Sequence, residues 1–316
     1  MKKHLAILLF LLLATAAFPQ KNENPELKIN NLRLEARGDF DCFSQDGNLS
    51  SGFTGKYLNV VLEGDIGKKL FYVYRQRVNN IQNEANFFDA TDKLFLGWRI
   101  TDNFTLTAGK MVTAMGGIEF DLAPIDVYYR SRSWGLRCYQ FGTGLSYNKG
   151  SSTFTLQFTN SPYGYGIYSG LYSYSVLWKA KFRHFGPICS VNMYEFQKGA
   201  FINVIALGTT YKFGRIDGYV DYMRRDAEGN NEFASEINTF ITQIGINFLD
   251  EKLHVFIKTG FDVTNTYIGG LEIFPLKNRN VLRIHTFFAL NDLKNGNNIC
   301  QGNIGITWRL GLLPKK

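Results

Sequence analysis

Outside its first 20 residues, the chain has no long hydrophobic run, and this absence excludes a helical membrane protein. No later stretch approaches the 18 or more consecutive apolar residues that a membrane-spanning helix needs. Proline is scarce, with 7 in 316 residues, and the four cysteines lack the C-x-x-C spacing of zinc sites. The sequence also lacks a phosphate-cradling glycine loop before a helix and a G-x-S-x-G nucleophile motif. It therefore predicts no metal and no other cofactor.

Residues 1–20 have the three parts of a secretory signal peptide. Lys2 and Lys3 supply the positive start, residues 5–13 form an unbroken apolar run, and residues 14–17 (ATAA) are small enough for cleavage. The run is too short to cross about 30 Å of hydrocarbon as a retained anchor. We therefore expect export, removal of residues 1–20, and a single domain over residues 21–316.

The first segment after the leader alternates between apolar and charged residues. Over residues 32–42 (LRLEARGDFDC), every even position is apolar or small, and all five odd positions are charged. Successive side chains of a strand point to opposite faces, so one face contacts an apolar phase and the other is charged. A β-barrel wall between lipid and a water-filled lumen requires this pattern. We therefore predict an all-β, transmembrane antiparallel β-barrel.

The rest of the chain repeats a strand, a turn and a strand. Short connections alternate with long ones, as they do when short turns form one rim of an outer-membrane barrel and long loops form the other. The segment at 201–213 is apolar on both faces, so its orientation is ambiguous. We predict about sixteen strands, with fourteen as the alternative, near residues 31–43, 53–66, 69–78, 92–100, 104–111, 138–147, 152–160, 172–183, 187–195, 201–213, 215–224, 237–248, 252–263, 267–274, 281–290 and 299–310.

The formal net charge is +8, and the basic residues are spread over many strands rather than clustered. A dispersed distribution argues against nucleic acid as a partner. A basic exported protein instead suits anionic lipid or small anionic solutes.

Several short stretches resemble the phosphate-selective porin O and P family of bacterial outer-membrane porins. They are residues 53–57 (FTGKY), 106–110 (LTAGK), 118–120 (IEF), 124–128 (PIDVY) and 157–162 (QFTNSP), together with the opening strand. The resemblance covers nearly all of the mature chain. It implies a sixteen-stranded barrel in the outer membrane of a two-membrane bacterium, often a homotrimer. It also implies passage of small hydrophilic solutes, with phosphate favoured in some members. The residues beyond Leu310 depart from the usual aromatic end of such barrels.

The longest connection, residues 112–137, is the third on the long-loop rim. A loop of this length in a compact domain usually has a function. In porins the third external loop folds inward and narrows the pore, and we expect the same here; the alternative is a surface loop packed on the outer rim. The charged residues of the predicted constriction are Glu119, Asp121, Asp126, Arg130, Arg132 and Arg137.

Basic side chains on the polar faces of the strands are predicted to line the lumen. Rings of Arg or Lys in a pore favour anions, and an Arg fork matches phosphate oxygens. The counter-argument is that acidic residues on the same faces pair with these bases and leave a mixed field. The predicted lumen bases are Arg33, Arg37, Arg75, Arg77, Lys93, Lys179, Lys181, Lys258 and Arg283.

Two rival functions stay open beside passive diffusion. One is a plugged barrel with a structural or binding role, and the other is a barrel enzyme. The histidines at 184, 254 and 285 are the candidates for an active site, but no Ser, Asp or Glu is visibly paired with them in the sequence. We expect no enzyme activity.

A closed barrel must also pair its first strand with its last. Matching the apolar faces places Leu34 beside Trp308 and brings Cys42 opposite Cys300. Directly opposed Cβ atoms lie about 4.5–5.5 Å apart, whereas a disulfide needs about 3.8 Å. The two cysteines are therefore predicted to be neighbours across the seam, with a disulfide as one outcome and two unbonded residues as the other.

Overall fold

Sixteen antiparallel strands form one closed barrel in the computed structural model, which describes residues 26–45, 47–79, 87–128, 137–164, 169–227, 237–261, 264–293 and 298–313. Each strand pairs with its neighbours in the chain, and β1 pairs with β16. The strands are β1 (Leu27–Gln45), β2 (Asn48–Ile66), β3 (Leu70–Arg77), β4 (Thr91–Arg99), β5 (Phe104–Val112), β6 (Tyr139–Lys149), β7 (Ser152–Asn160), β8 (Tyr172–Ala180), β9 (Phe185–Gln197), β10 (Ala200–Phe213), β11 (Ile216–Ala227), β12 (Ile237–Phe248), β13 (Leu253–Phe261), β14 (Thr264–Ile273), β15 (Leu282–Leu293) and β16 (Ile299–Gly311).

The predicted fold and strand count are confirmed. Helices are nearly absent, and no helix among the described residues has the length and apolar character to span a membrane. The leader at residues 1–20 lies outside the described residues.

The first hairpin is longer than predicted. We expected a loop over residues 44–52, but β1 and β2 continue their ladder to the Gln45–Asn48 pair. The polar and glycine residues of this segment are typical of a loop. Their backbone N–H and C=O groups can nevertheless be paired with the partner strand instead of with water. Both strands have 19 residues, whereas β4 and β5 have 9 each. The pairing of β2 with β3 starts only at Asn59, so the wall is tallest at the first hairpin.

The two faces of the wall follow the alternation in the sequence. In β7 and β8 the paired Leu156 and Val176 are exposed on the outer face, whereas Gln157 and Ser175 are buried on the inner face. The ambiguity of the tenth strand has a physical explanation. The outer side chains of β10 are apolar because they face lipid, and the inner ones, such as Val204, are apolar because a loop covers them.

The register of the seam differs from the prediction by two residues. The structure pairs Ala36 with Trp308, so that Cys42 lies opposite Gly302 and Cys300 opposite Ser44. All four cysteines are free. The predicted opposition of Cys42 and Cys300 is therefore wrong. Alternation has a period of two, so it fixes which face a residue occupies but does not distinguish registers that differ by two.

Oxidation of the Gly302→Cys variant is expected to form a bridge to Cys42. A Cβ atom placed on Gly302 would lie 3.9 Å from the Cys42 Cβ, close to the separation of about 3.8 Å in disulfides. A shifted band on a non-reducing gel and mass spectrometry of the linked peptides would detect the bond. The unsubstituted chain, oxidised in parallel, should keep its cysteines unlinked. A Cys42–Cys300 bond in that control would contradict the observed register.

Candidate functional site

Residues 113–128, the first part of the connection between β5 and β6, lie inside the barrel, and we call them the strap. The strap leaves the wall after Val112 and carries one short helix, α1 (Ile118–Asp121), followed by a 3-10 turn at Pro124–Asp126. Polar side chains of the inner wall bind its first backbone groups. Gln157 of β7 donates to the Val112 carbonyl at 2.9 Å and accepts from the Ala114 N–H at 2.6 Å. Asn192 of β9 donates to the Ala114 carbonyl at 2.7 Å.

Asp221 of β11 anchors the start of α1. Its buried carboxylate accepts hydrogen bonds from the backbone N–H groups of Ile118 at 2.6 Å and Glu119 at 2.8 Å. The first N–H groups of a helix have no partners within the helix, so Asp221 acts as a cap supplied from the wall. A glycine permits the close approach: a Cβ on Gly116 would lie 2.8 Å from the Ala206 carbonyl oxygen.

Replacement of Asp221 by alanine is expected to loosen the strap at α1 without opening the barrel. The change leaves two buried N–H groups without their charged acceptor, which costs roughly 1.5–3 kcal/mol of stability. Urea unfolding would measure this loss, and single-channel recordings should become noisier. Asp226→Ala removes an exposed carboxylate from the same strand and should do neither. Equal effects from the two variants would contradict the anchoring role.

The middle of the strap packs on an apolar inner wall. Met115, Ile118 and Phe120 are at most 6% exposed. Complete burial of such side chains contributes about 1.5–3 kcal/mol each. They therefore attach the strap firmly to this part of the lumen. The wall residues of this cluster are Leu177, Ile188, Tyr194, Ile202, Val204, Ala206, Tyr219, Met223 and Ile241, from β8 to β12.

The end of the strap contacts the opposite wall. Asp126 accepts hydrogen bonds from Arg283 of β15 at 3.0 Å and from Arg309 of β16 at 2.7 Å. Arg37 of β1 donates to the Val127 carbonyl at 2.9 Å while it pairs with Asp39 at 2.7 Å. The strap thus crosses the lumen from β9–β11 to β15, β16 and β1.

Tyr128 lies in an aromatic cluster next to this second wall. Its hydroxyl donates to Glu272, and its ring stacks on Phe256 with centroids 5.6 Å apart. Burial raises the pKa of the Tyr128 hydroxyl well above its usual value, so the group stays protonated as a donor. Arg37 and Arg283 lie over the same ring, with their guanidinium carbons 5.1 and 5.2 Å from its centroid. This side of the lumen is therefore filled.

A cavity of about 310 Å³ remains between the strap and strands β3–β8. Three basic residues line it: Arg75, Lys93 and Lys179. Asp121 of the strap also lines the cavity and pairs with Lys179. The cavity lining therefore has more basic than acidic side chains.

Most of the predicted site residues lie near the strap or on the inner wall. Glu119 pairs with Lys258 at 3.1 Å. Arg130 and Arg132 lie outside the described residues, and Arg137 is exposed at the end of the connection. Other predicted bases pair with wall carboxylates: Arg33 with Glu35 at 2.9 Å, Arg75 with Glu35 at 3.4 Å and Asp92 at 3.6 Å, and Arg77 with Asp92 at 2.7 Å.

Lys181 does not line the lumen. Strand β8 ends at Ala180, three residues before the predicted end, and Lys181 is exposed in the turn that follows. The backbone N–H of Lys181 donates to the carbonyl of Ser151 in the neighbouring turn at 3.0 Å, one residue beyond the last strand pair, Ser152 and Ala180.

The residues that hold the strap were not predicted from the sequence. Gln157, Ser190, Asn192 and Asp221 are polar groups at inner-face positions of β7, β9 and β11. Isolated polar residues on a largely apolar inner face indicate that something inside the barrel binds them, because a buried polar group needs a hydrogen-bond partner. Their partners are backbone groups, which no sequence pattern identifies.

Two of the histidines belong to ion-pair networks on the inner wall. His254 lies between Asp217, at 3.0 Å, and Glu272, at 2.7 Å. His285 lies 3.3 Å from Asp39. In the described part of the chain, no group of three or more His, Cys, Asp or Glu side chains has an arrangement that could hold a metal ion.

Comparisons with known proteins agree with this architecture. A model of the family "Phosphate-selective porin O and P" matches residues 31–214. An anion-selective porin from Comamonas acidovorans is similar with a TM-score of 0.66 and 11% identity, over 90% of this chain and 100% of that one. Outer-membrane expressed OmpT of Vibrio cholerae is similar with a TM-score of 0.63 and 11% identity, over 92% and 99%. A search of curated protein sequences gave no match. The family match covers more than half of the chain, which therefore belongs to the phosphate-selective porin O and P family of outer-membrane porins.

Proposed function

We propose that this porin allows passive diffusion of small hydrophilic solutes past the strap, with a modest preference for anions. The observation that carries the proposal is the cavity between the strap and β3–β8, where Arg75, Lys93 and Lys179 face a single lining carboxylate, Asp121. A basic constriction favours anions because it lowers their electrostatic barrier and raises that of cations. The mechanism needs no catalysis and no cofactor.

The expected preference is modest because carboxylates neutralise most of the lumen bases. Lys179 pairs with Asp121, and Arg75 is shared between two carboxylates. Lys93 is the exception, since it forms no ion pair with any described carboxylate. It is the base that we propose contributes most to the field felt by a passing anion. Chloride and inorganic phosphate are the solutes to compare.

We also propose that the chain is exported through cleavage of residues 1–20 and assembles as a homotrimer in the outer membrane. The positive, apolar and small segments of the leader support export. The support for a trimer is a structural neighbour, described as the trimer form of OmpT from Vibrio cholerae, with a TM-score of 0.61 and 10% identity over 91% of this chain.

A second candidate function is a barrel that the strap closes to solutes. The observation that favours it is the packing of Met115, Ile118 and Phe120 on the apolar wall, together with the aromatic cluster around Tyr128. A strap fixed at both walls leaves only one side of the lumen for passage.

Recordings in planar bilayers separate the two candidates. The purified protein should give stable single-channel conductance, and its reversal potential in a potassium chloride gradient should show a chloride-to-potassium permeability ratio above one. A folded barrel without conductance would support the closed barrel. Stable conductance with a ratio at or below one would keep the porin and exclude the anion preference. Replacing chloride by phosphate in the same recordings would rank the two anions.

A further inference from the structure

The short-turn rim carries a group of exposed side chains that the pore does not use. It is formed by two neighbouring turns, between β8 and β9 and between β10 and β11, and by the strand ends next to them. A backbone hydrogen bond from Lys212 N–H to His184 O, at 2.9 Å, holds these turns together. We call the group the rim patch; it consists of Lys181, Phe182, Arg183, Phe185, Phe213 and Arg215.

The aromatic part of the rim patch is exposed and packed together. Phe182, Phe185 and Phe213 are 51%, 48% and 48% exposed. The rings of Phe185 and Phe213 meet edge to face, with centroids 5.4 Å apart, and His184 stacks on Phe213 at 5.0 Å. Phe213 shares the outer face of β10 with Ile205 and Leu207, so the patch continues the lipid-facing wall. Aromatic rings at this height are typical of the membrane–water interface.

The basic part of the rim patch is not neutralised. Lys181, Arg183 and Arg215 are exposed, and none forms an ion pair with a carboxylate in the part of the chain that the structure describes. The neighbouring Lys212 shows the contrast, since it pairs with Glu251 at 2.7 Å. Three unpaired positive charges thus lie next to rings at the edge of the apolar wall.

We propose that the rim patch binds the phosphate-bearing headgroup of an anionic phospholipid in the periplasmic leaflet. Short turns of outer-membrane barrels face the periplasm, so the patch meets the headgroups of that leaflet. The exposed phenylalanines contact the acyl region below, while Lys and two Arg forks meet the phosphate above. An acidic soluble protein would satisfy the charges but not the rings, which continue into the lipid-facing wall. This favours lipid as the partner.

Lipid retention in native mass spectrometry tests the site. The protein is folded into phosphatidylcholine bilayers that contain a minor fraction of phosphatidylglycerol, and the lipids that remain bound after extraction are counted. The triple variant Lys181→Gln, Arg183→Gln, Arg215→Gln is compared with a matched variant on other turns of the rim, Lys68→Gln, Lys69→Gln, Lys277→Gln. Each Lys or Arg near an anionic surface changes lipid affinity about fivefold, so the triple variant should lose at least this factor of retained phosphatidylglycerol.

The aromatic part of the rim patch is tested separately from its charges. Phe182→Ala keeps all three charges and should also reduce retention, because it removes the apolar contact. A folded barrel migrates differently on a gel before and after the sample is heated. If the triple variant shows no such difference, it is not folded, and the single change Arg183→Gln takes its place. Equal loss in the rim-patch and matched variants would overturn the site, because it would indicate only a diffuse effect of rim charge. Displacement of the lipid by an equal concentration of inorganic phosphate would overturn the lipid assignment.

Discussion

Excision of the strap is expected to raise single-channel conductance severalfold. The change removes the strap after Thr113 together with the rest of the connection, residues 114–137 in all, and joins β5 to β6 by a short turn. It is feasible because Thr113 N–H already donates to the Cys138 carbonyl at 2.8 Å, so the two strands remain paired at the base of the loop. The strap crosses the lumen from Asp221 to Asp126 and its arginines, and its removal leaves the whole interior to solvent.

The barrel itself should survive this excision, because the strand ladder does not include the strap. Heat-dependent mobility on gels checks that the variant is folded. Its stability should fall, since apolar wall residues such as Val204 and Ile241 lose their cover. A folded variant with unchanged conductance would show that the strap does not limit the flow of ions.

Reversal of the charge at Lys93 is expected to move the pore from anion to cation preference. Lys93→Glu changes the cavity lining by two charges, at a side chain that forms no ion pair within the described residues. The chloride-to-potassium permeability ratio should drop below one. The shift should be larger at low salt, because screening limits the field to about 10 Å at 0.1 M.

Lys198→Glu is the matched control for this charge reversal. Lys198 is exposed in the turn between β9 and β10, outside the lumen, and the substitution has the same charge change. It should leave the permeability ratio nearly unchanged. If both variants shift the ratio alike, selectivity arises from the overall charge of the protein rather than from the cavity.

The fold could be predicted from the sequence because a barrel wall is a local pattern repeated many times. Each strand, for example residues 152–160, shows its own alternation between lipid and lumen, and short turns mark its ends. No distant information is needed to find such strands. The strand at residues 200–213 does not show this alternation, because its inner face is covered by a loop that is far away in the sequence.

The site could be predicted only in part, for the same physical reason. The charges of the strap and the lumen bases were visible, but their pairing depends on residues far apart, such as Asp126 and Arg309, which are 183 positions apart. The predicted seam register was wrong because a shift of two residues keeps the same side chains on the apolar face, so matching the apolar faces does not distinguish the two registers. The anchors at Asn192 and Asp221 bind backbone, whose position follows from the completed barrel.

The long sequence separations of the strap contacts have a consequence for the order of folding. The strap precedes β6–β16 in the chain, yet its anchors lie on β7, β9, β11, β15, β16 and β1. Hairpins can form early from local contacts, whereas the strap contacts, which join residues 43 to 183 positions apart, form more slowly. The final anchors on β15 and β16 exist only after the last hairpin has formed. Complete docking of the strap therefore requires β15 and β16 to be in place, and we expect it to finish together with closure of the seam.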